Sequence, residues 1–420
     1  MGIQGLLPTL KSIMHPRHAQ EYAGKRAAID TYSWLHKAVL SCSRDLCHGR
    51  HNDKYIDYCM RRVQMLRYYG VQPVLVFDGG SLPMKSDQEI KRARSRKENL
   101  ERALEYERLG NHSAAYECYQ RAVDITPAIA FRLIQVLRQE NVQYVVAPYE
   151  ADAQLVFLAL NRHVDFVITE DSDLIVYGCP QIFFKMDKHG QGVGFQISDI
   201  TANKDIDLSD FTKQMILEMC IMSGCDYLPS LPGIGVKRSH GLIKRFRTYQ
   251  KALKHLEAKG VLIDPQYEQG FHRAILTFRH HRVYDPVKKE MVHLTGVPSE
   301  LDTNLDFLGP HLPQTTATAI ARGEVDPTTF ESFQDFSSSG RLVADSNATV
   351  QNGVSNKKVG FSAKKNLPAI NSSRTHQHHR SGSRPCFQLS DLKAALVSFL
   401  ISWGLVCILL ACNPQVESLV

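Results

Sequence analysis

Four short apolar runs, each closing on an acid, constrain most strongly what this chain can fold into. They are Arg26-Ala27-Ala28-Ile29 before Asp30, and Val74-Leu75-Val76-Phe77 before Asp78. Gln143 to Val146 leads into Pro148-Tyr149-Glu150-Ala151-Asp152, and Phe166-Val167-Ile168 into Thr169-Glu170-Asp171-Ser172-Asp173. Continuous apolar runs of this length fit strands buried on both faces. Helical stretches such as Tyr55 to Tyr69 and Pro127 to Gln139 lie between them. Strand alternating with helix predicts an α/β fold with a central, mostly parallel sheet flanked by helices. Open sheets of this kind carry their sites beyond the carboxyl ends of the strands, which is where the acids fall.

If the sheet forms, Asp30, Asp78, Glu150, Asp152, Asp171, Asp173 and the later Asp226 converge on one cleft. Two carboxylates about 5 Å apart repel by roughly 3 kcal/mol at an effective dielectric near 20. Several such pairs would exceed the whole stability of a typical domain, so the cluster implies bound cations. All-oxygen ligation without His or Cys favours Mg²⁺ or Mn²⁺ over zinc. Two such ions would serve hydrolysis of a phosphodiester. The alternative is that each acid merely caps the helix after its strand. Capping suits one Asp better than seven acids that include the Glu150/Asp152 and Asp171/Asp173 pairs.

Two further segments suit a polyanion. After Gly79-Gly80-Ser81-Leu82-Pro83 comes a basic helical stretch in which Lys91, Arg92, Arg94, Arg96 and Lys97 place five cations in seven positions. At about 100° per residue, Lys85, Arg92 and Arg96 fall within about 40° of one another on a helix. That face can clamp a phosphate, although a solvated helix balanced by Glu98, Glu101 and Glu105 is the plainer reading. Farther on, Leu231-Pro232-Gly233-Ile234-Gly235-Val236-Lys237 joins two helical runs, Phe211 to Ser223 and Lys237 to Phe246. A Gly-x-Gly turn lets backbone atoms approach a phosphate or a cation closely. The bulk balance of 50 Lys+Arg against 43 Asp+Glu, with a pI near 8.8, leans the same way without deciding it.

These segments resemble the XPG/flap-endonuclease superfamily. The similarity is carried by Val76-Phe77-Asp78-Gly79, Ala147-Pro148-Tyr149-Glu150-Ala151-Asp152-Ala153-Gln154, Ile168-Thr169-Glu170-Asp171-Ser172-Asp173 and Ser223-Gly224-Cys225-Asp226-Tyr227-Leu228. Met1-Gly2-Ile3-Gln4-Gly5-Leu6-Leu7, Asp30-Thr31-Tyr32-Ser33-Trp34-Leu35-His36-Lys37 and Lys185-Met186-Asp187 are most similar to its eukaryotic exonuclease I branch. The likeness runs from residue 1 to about 335 and includes Tyr284-Asp285-Pro286. It implies a 5′→3′ exonuclease on duplex DNA with 5′-flap endonuclease activity, acting in mismatch repair and recombination. It assigns one metal to Asp30, Asp78, Glu150 and Asp152, and a second to Asp171, Asp173 and Asp226. Lys85 and Arg92 correspond to phosphate-gripping residues of a helical arch, with Arg96 beside them. Tyr32 and His36 match contacts to frayed 5′ nucleotides, and Gly2 a residue buried beside the site. Gly233, Gly235 and Lys237 fall in a helix–two-turn–helix where a K⁺ ion bridges to the uncleaved strand, with Ser223, Ser230 and Ile234 at its ligand positions.

The resemblance implies duplex DNA with 5′ ends, nicks, gaps or flaps as substrate, a monomeric enzyme and a nuclear location. Mismatch-repair partners are implied too, although the family carries a long tail with partner motifs and this chain stops at Val420. Two alternatives remain. A PIN-like ribonuclease shares the acids but not the basic arch and Gly-x-Gly turn. A non-catalytic DNA-binding scaffold would be expected to have lost a ligand, and none is replaced.

The expected organisation is a nuclease region over 1–99 that begins the arch, a helical insertion over 100–137 and an internal nuclease region over 138–230. The helix–two-turn–helix and the end of the core follow over 231–335, then a linker over 336–390 and an apolar segment over 391–420. One tetratricopeptide-like pattern between 104 and 127 is read as part of the insertion, since a solenoid needs about three copies. Ser, Asn, Lys and His dominate from Ser337 to Arg384, which predicts a disordered linker. His376, His378 and His379 are read as surface. Ala394 to Cys412 has no charged residue and, as a helix, would match a membrane span. It is read as an alternative terminus without an evolved role rather than a tail anchor or packed helix. No basic stretch and apolar core open the chain as in a signal peptide, and Leu6 stands where a myristoylation signal needs Ser or Thr. Ten cysteines without a CxxC pair are read as reduced thiols of a nuclear or cytosolic protein.

Overall fold

A computed structural model of the protein describes residues 2–298 and 304–333. Seven strands form one sheet: β1 (His15–His18), β2 (Arg26–Asp30), β3 (Gln72–Phe77), β4 (Gln143–Val146), β5 (Phe166–Thr169), β6 (Gln181–Phe184) and β7 (Gln191–Gln196). Their spatial order is β1-β7-β6-β5-β2-β3-β4. The five strands from β6 to β4 run parallel, while β7 and β1 add antiparallel pairs at one edge. All four runs expected as strands are present, with ends shifted by at most two residues. Past their first residues the side chains of β2, β3 and β5 are buried, as apolar strands covered on both faces require, while Gln143 and Tyr144 of the edge strand β4 are not.

The chain winds from β2 outward to β3 and β4, then returns across β2 to β5 and β6. That reversal places the carboxyl ends of β2 and β5 side by side. It is the topological switch point at which open α/β sheets hold their ligands. Helices Thr31–Val39 and Ala151–Leu160 start directly after β2 and the β4 turn, so their first turns face the same cleft. At the β3 end, Gly79 fits because the chain from Ala147 to Tyr149 lies against it. Its N–H donates to Tyr149 O, and any Cβ would strike Ala147 O.

A long helix, Ser86–Arg108, runs unbroken through position 99 and turns back as His112–Ala122. The two are joined by a small cluster of Ala103, Ala115, Cys118 and Tyr119, separate from the main core. Of the tetratricopeptide-like residues, Tyr116, Tyr119 and Ala122 lie in this helical hairpin, and Pro127 begins the next helix. The Gly-x-Gly turn lies between helices Lys213–Met222 and Val236–Phe246. A two-stranded hairpin, β8 (Arg282–Asp285) with β9 (Glu290–His293), and the helix Gln314–Ala321 complete the described core.

Gln154 ties that hairpin to the site. Wholly buried in helix Ala151–Leu160, its amide donates to Tyr284 O at 2.8 Å and accepts from Tyr284 N–H at 2.7 Å. Gln154→Ala would leave both backbone groups buried without partners. It is expected to destabilise the protein by about 3 kcal/mol, read as a lower urea midpoint with unchanged slope. An unchanged midpoint would show that this pair does not hold the hairpin.

Among the described residues Cys42, Cys47, Cys59, Cys118, Cys179, Cys220 and Cys225 are free thiols. Among the described residues no helix is long and apolar enough to cross a membrane. The expected linker, the histidine tract and Ala394 to Cys412 lie outside the described residues.

Candidate active site

Each acid reaches the cleft from a different element. Asp30 is the last residue of β2, and its carboxylate accepts from Ser33 N–H at 3.2 Å and from the Thr169 hydroxyl at 2.8 Å. The capping alternative therefore describes part of what Asp30 does. Asp78 follows β3 and accepts from Ala151 N–H at 2.7 Å, which caps a helix that follows another strand. Glu150 stands at the start of that helix and Asp152 in its first turn. Asp171 and Asp173 follow β5, with the Asp173 N–H donating to Asp171 at 2.9 Å. Asp226 lies in the loop after helix Lys213–Met222.

Lys85 fills the space between two of them. Its Nζ stands 2.8 Å from Glu150 Oε1 and 2.8 Å from Asp226 Oδ2. Arg92, two turns along the same helical stretch, lies 3.5 Å from Asp226. Gln88 between them donates to Asp226 Oδ1 at 3.0 Å. Arg96 differs from its expected place. It turns to Asp124 at 3.3 Å, because the helix continues past the acids toward the chain that leads into Pro127–Gln139. Lys91, Arg94 and Lys97 face solvent, and Arg94 pairs with Glu98, as the plainer reading of this stretch has it.

The electrostatics separate the acids into two groups. Burial pushes Asp30 up to about 6 and Asp78 up to about 7. Asp152 and Asp173 are raised well above the usual range by burial and then by the charge of Asp171, and burial raises Asp171 itself. Burial also acts on Glu150 and Asp226, but the Lys85 ammonium outweighs it and holds both below the usual range. In turn, Glu150 and Asp226 overcome the burial of Lys85 and raise it well above an ordinary lysine. The protein thus places one cation of its own among acids that burial otherwise tends to neutralise.

The donor set fits divalent cations. Every group is a carboxylate oxygen, and Asp173 Oδ1 is buried with no hydrogen-bond partner. Among the described residues no three acid, His or Cys side chains stand ready as a closed cage. The reason is visible in the partners: Lys85, Gln88, Tyr227, Thr169 and backbone N–H groups occupy oxygens that a metal would otherwise claim.

The neighbouring expectations also have places. Gly2, at φ +80°, sits against the acids. A Cβ there would overlap Asp171 Oδ1 and lie 2.7 Å from Asp173 Oδ1, so only glycine fits. Tyr32 and His36 share one face of helix Thr31–Val39, with ring centroids 6.4 Å apart. Gly233, Gly235 and Lys237 are exposed, with Gly235 capping helix Val236–Phe246. Ser223 is buried with its hydroxyl donating to Cys220 O, Ile234 is buried, and Ser230 is exposed. The sequence reading missed Gln88, and used Thr169 and Tyr227 only as parts of motifs. A threonine ending a buried strand one residue before an acid is the signal that could have singled out Thr169. Gln88 lies one turn past Lys85, on a stretch otherwise read for its cations.

Comparison with known proteins agrees with this arrangement. Residues 1–99 match the XPG N-terminal domain and residues 141–226 the XPG I-region, which together contain all seven acids. The chain belongs to the XPG/flap-endonuclease superfamily. It is 60% identical over 345 residues to "Exonuclease 1" of Oryza sativa subsp. japonica, an alignment covering 82% of this chain and 41% of that protein. It is 32% identical over 300 residues to "DNA damage-inducible protein DIN7" of Saccharomyces cerevisiae, covering 71% of this chain and 70% of that one. The chain spans less than half the length of the exonuclease relatives of Oryza sativa and Arabidopsis thaliana that it matches. Its fold is similar to the catalytic core of Rad2, solved in complex with a DNA substrate. There the TM-score is 0.52 at 20% identity, over 76% of this chain and 99% of that one.

Proposed function

We propose that this chain is the catalytic core of a Mg²⁺-dependent 5′→3′ exodeoxyribonuclease that also cuts 5′ flaps. The observation that carries the reading is that Lys85 and Arg92, from a helical arch, face the carboxylates gathered beyond the carboxyl ends of the central strands. Asp30, Asp78, Glu150 and Asp152 would hold one Mg²⁺, and Asp171, Asp173 and Asp226 the other, with Mn²⁺ as a substitute. Cations held there supply the Lewis acidity and charge that phosphodiester hydrolysis needs. Lys85 and Arg92 then exchange their carboxylate partners for the scissile phosphate, whose developing charge they stabilise. Tyr32 and His36 present aromatic faces to the 5′-terminal bases, and Gly2 leaves the backbone close to the acids. The turn at Gly233 and Gly235, with K⁺ at Ser223, Ser230 and Ile234, would anchor the duplex together with Lys237.

The substrates on this reading are duplexes with 5′ ends, nicks, gaps or flaps, handled by a monomer in the nucleus during mismatch repair and recombination. Digestion of 5′-end-labelled duplex and flap DNA tests it. Label should be released from the 5′ terminus with Mg²⁺ and not with EDTA. Equal cleavage of RNA would favour the ribonuclease alternative, and binding without cleavage the scaffold.

Arch and anchor should separate kinetically. Arg92→Ala is expected to lower turnover about a hundredfold with little change in DNA affinity, since its contact matters most in the transition state. Lys237→Ala should instead weaken duplex binding and reduce the salt slope by about one unit. A pure affinity loss in both variants would remove the distinction.

A further inference from the structure

Behind Glu150 lies a line of buried polar groups that the proposed chemistry does not use. The Tyr227 hydroxyl donates to Glu150 Oε2, while Oε1 faces Lys85. Tyr177 OH stands 2.5 Å from Tyr227 OH, and His281 Nδ1 stands 3.5 Å from Tyr177 OH. His281 is wholly buried, and its Nε2 has no partner. Phe278 holds both tyrosine rings edge-on, at 4.8 and 5.0 Å between centroids. These residues are far apart in sequence, yet each tyrosine sits beside an acid of the site. Tyr227 follows Asp226, and Tyr177 ends the short helix that Asp173 begins.

The chemistry of the groups sets the direction of the line. An ionised carboxylate only accepts, so Tyr227 must donate to Glu150. Its oxygen is then free to accept from the Tyr177 hydroxyl, and the Tyr177 oxygen to accept from an Nδ1–H of His281. That assignment leaves His281 Nε2 as a bare acceptor, which costs less when buried than an orphaned N–H. Burial keeps the ring neutral, with its pKa pushed down to about 4. Donors aligned in one sense polarise one another and strengthen the last bond of the series.

We infer that Tyr227, oriented by Tyr177 and His281, is a positioning residue for Glu150. It fixes one carboxylate oxygen so that the other points into the cleft, and it thereby sets the affinity of the site for a divalent cation. The inference rests on reading the acids as a divalent-ion centre. It places residues of three distant segments behind one ligand, in the manner of the outer-sphere partners that orient ligands in metal sites.

The test is Mn²⁺ binding to the DNA-free protein, followed by electron paramagnetic resonance of the free ion, for wild type, Tyr227→Phe and Tyr177→Phe. Phenylalanine keeps the ring and its contact with Phe278 and removes only the hydroxyl. Tyr227→Phe should weaken Mn²⁺ binding about tenfold. It should raise by a similar factor the Mg²⁺ concentration giving half-maximal cleavage, with KM for DNA unchanged. Tyr177→Phe should act in the same direction by less, and the double variant should resemble Tyr227→Phe, because the two act in series. Wild-type Mn²⁺ affinity in Tyr227→Phe would overturn the inference. So would a loss of cleavage that saturating Mg²⁺ does not restore. Should Tyr227→Phe fail to fold, Tyr177→Phe decides alone. Weaker Mn²⁺ binding at an unchanged melting temperature supports the chain, and wild-type binding refutes it. If the wild-type protein itself binds no Mn²⁺, the divalent-ion reading fails instead.

Discussion

Asp173→Ala is expected to lower cleavage by at least about a thousandfold while leaving DNA affinity intact. Asp173 is buried among the acids, and its Oδ1 has no partner among the described residues. Nothing in the fold depends on that oxygen, so its removal should act on chemistry alone. Losing a carboxylate also reduces repulsion of the phosphate backbone, so binding should be equal or somewhat tighter. Asp171→Ala should behave similarly, although it also gives up the bond to the Asp173 N–H. Filter binding and single-turnover cleavage on the same flap substrate separate the two effects. Near-normal cleavage in either variant would remove these acids from the metal site.

The second large effect concerns pH and metal together. Burial raises Asp30 to about 6 and Asp78 to about 7, against ordinary values near 4. An acid with a raised folded-state pKa stabilises the fold fully only below its unfolded pKa, and this is lost as pH rises through the folded value. In EDTA the protein should therefore become less stable between about pH 4 and 7. Asp30 alone contributes on the order of 3 kcal/mol. Glu150 and Asp226, held below the usual range by Lys85, lose their stabilising contribution only at lower pH and do not offset the fall. Mg²⁺ competes with protons for the same oxygens, so it should raise the melting temperature more at pH 8 than at pH 5.5. A melting temperature in EDTA that is flat across this window would contradict the assignment, as would an equal Mg²⁺ effect at the two pH values.

The legible part of the fold was the part dictated by burial. β2, β3 and β5 are covered on both faces, so their apolar runs stand out without any partner being known. β1, with the sequence His-Pro-Arg-His, is an edge strand, and β7 between it and β6 carries glycines at 192 and 194. They leave no apolar run to read, and the β8–β9 hairpin is similarly polar. Six of the acids were visible because they end a strand or lie in the turn just after one, while Asp226, in a loop after a helix, was read from its motif. Their partners were not, since those contacts depend on tertiary placement. The 3.6-residue period put Lys85, Arg92 and Arg96 on one face, but only the position of the helix over the sheet shows that Arg96 overshoots the acids to Asp124. Tyr177 and His281 meet across 104 residues of chain, and no local pattern marks either as part of the site.

Anomalous scattering from crystals grown with Mn²⁺ tests most directly whether the seven carboxylates form one divalent-cation centre. Two anomalous peaks are predicted in the cleft, one against Glu150 and Asp152 and one against Asp171, Asp173 and Asp226. The Lys85 ammonium should be displaced from between Glu150 and Asp226. A cleft without anomalous density, or Mn²⁺ bound only elsewhere on the molecule, would contradict such a centre.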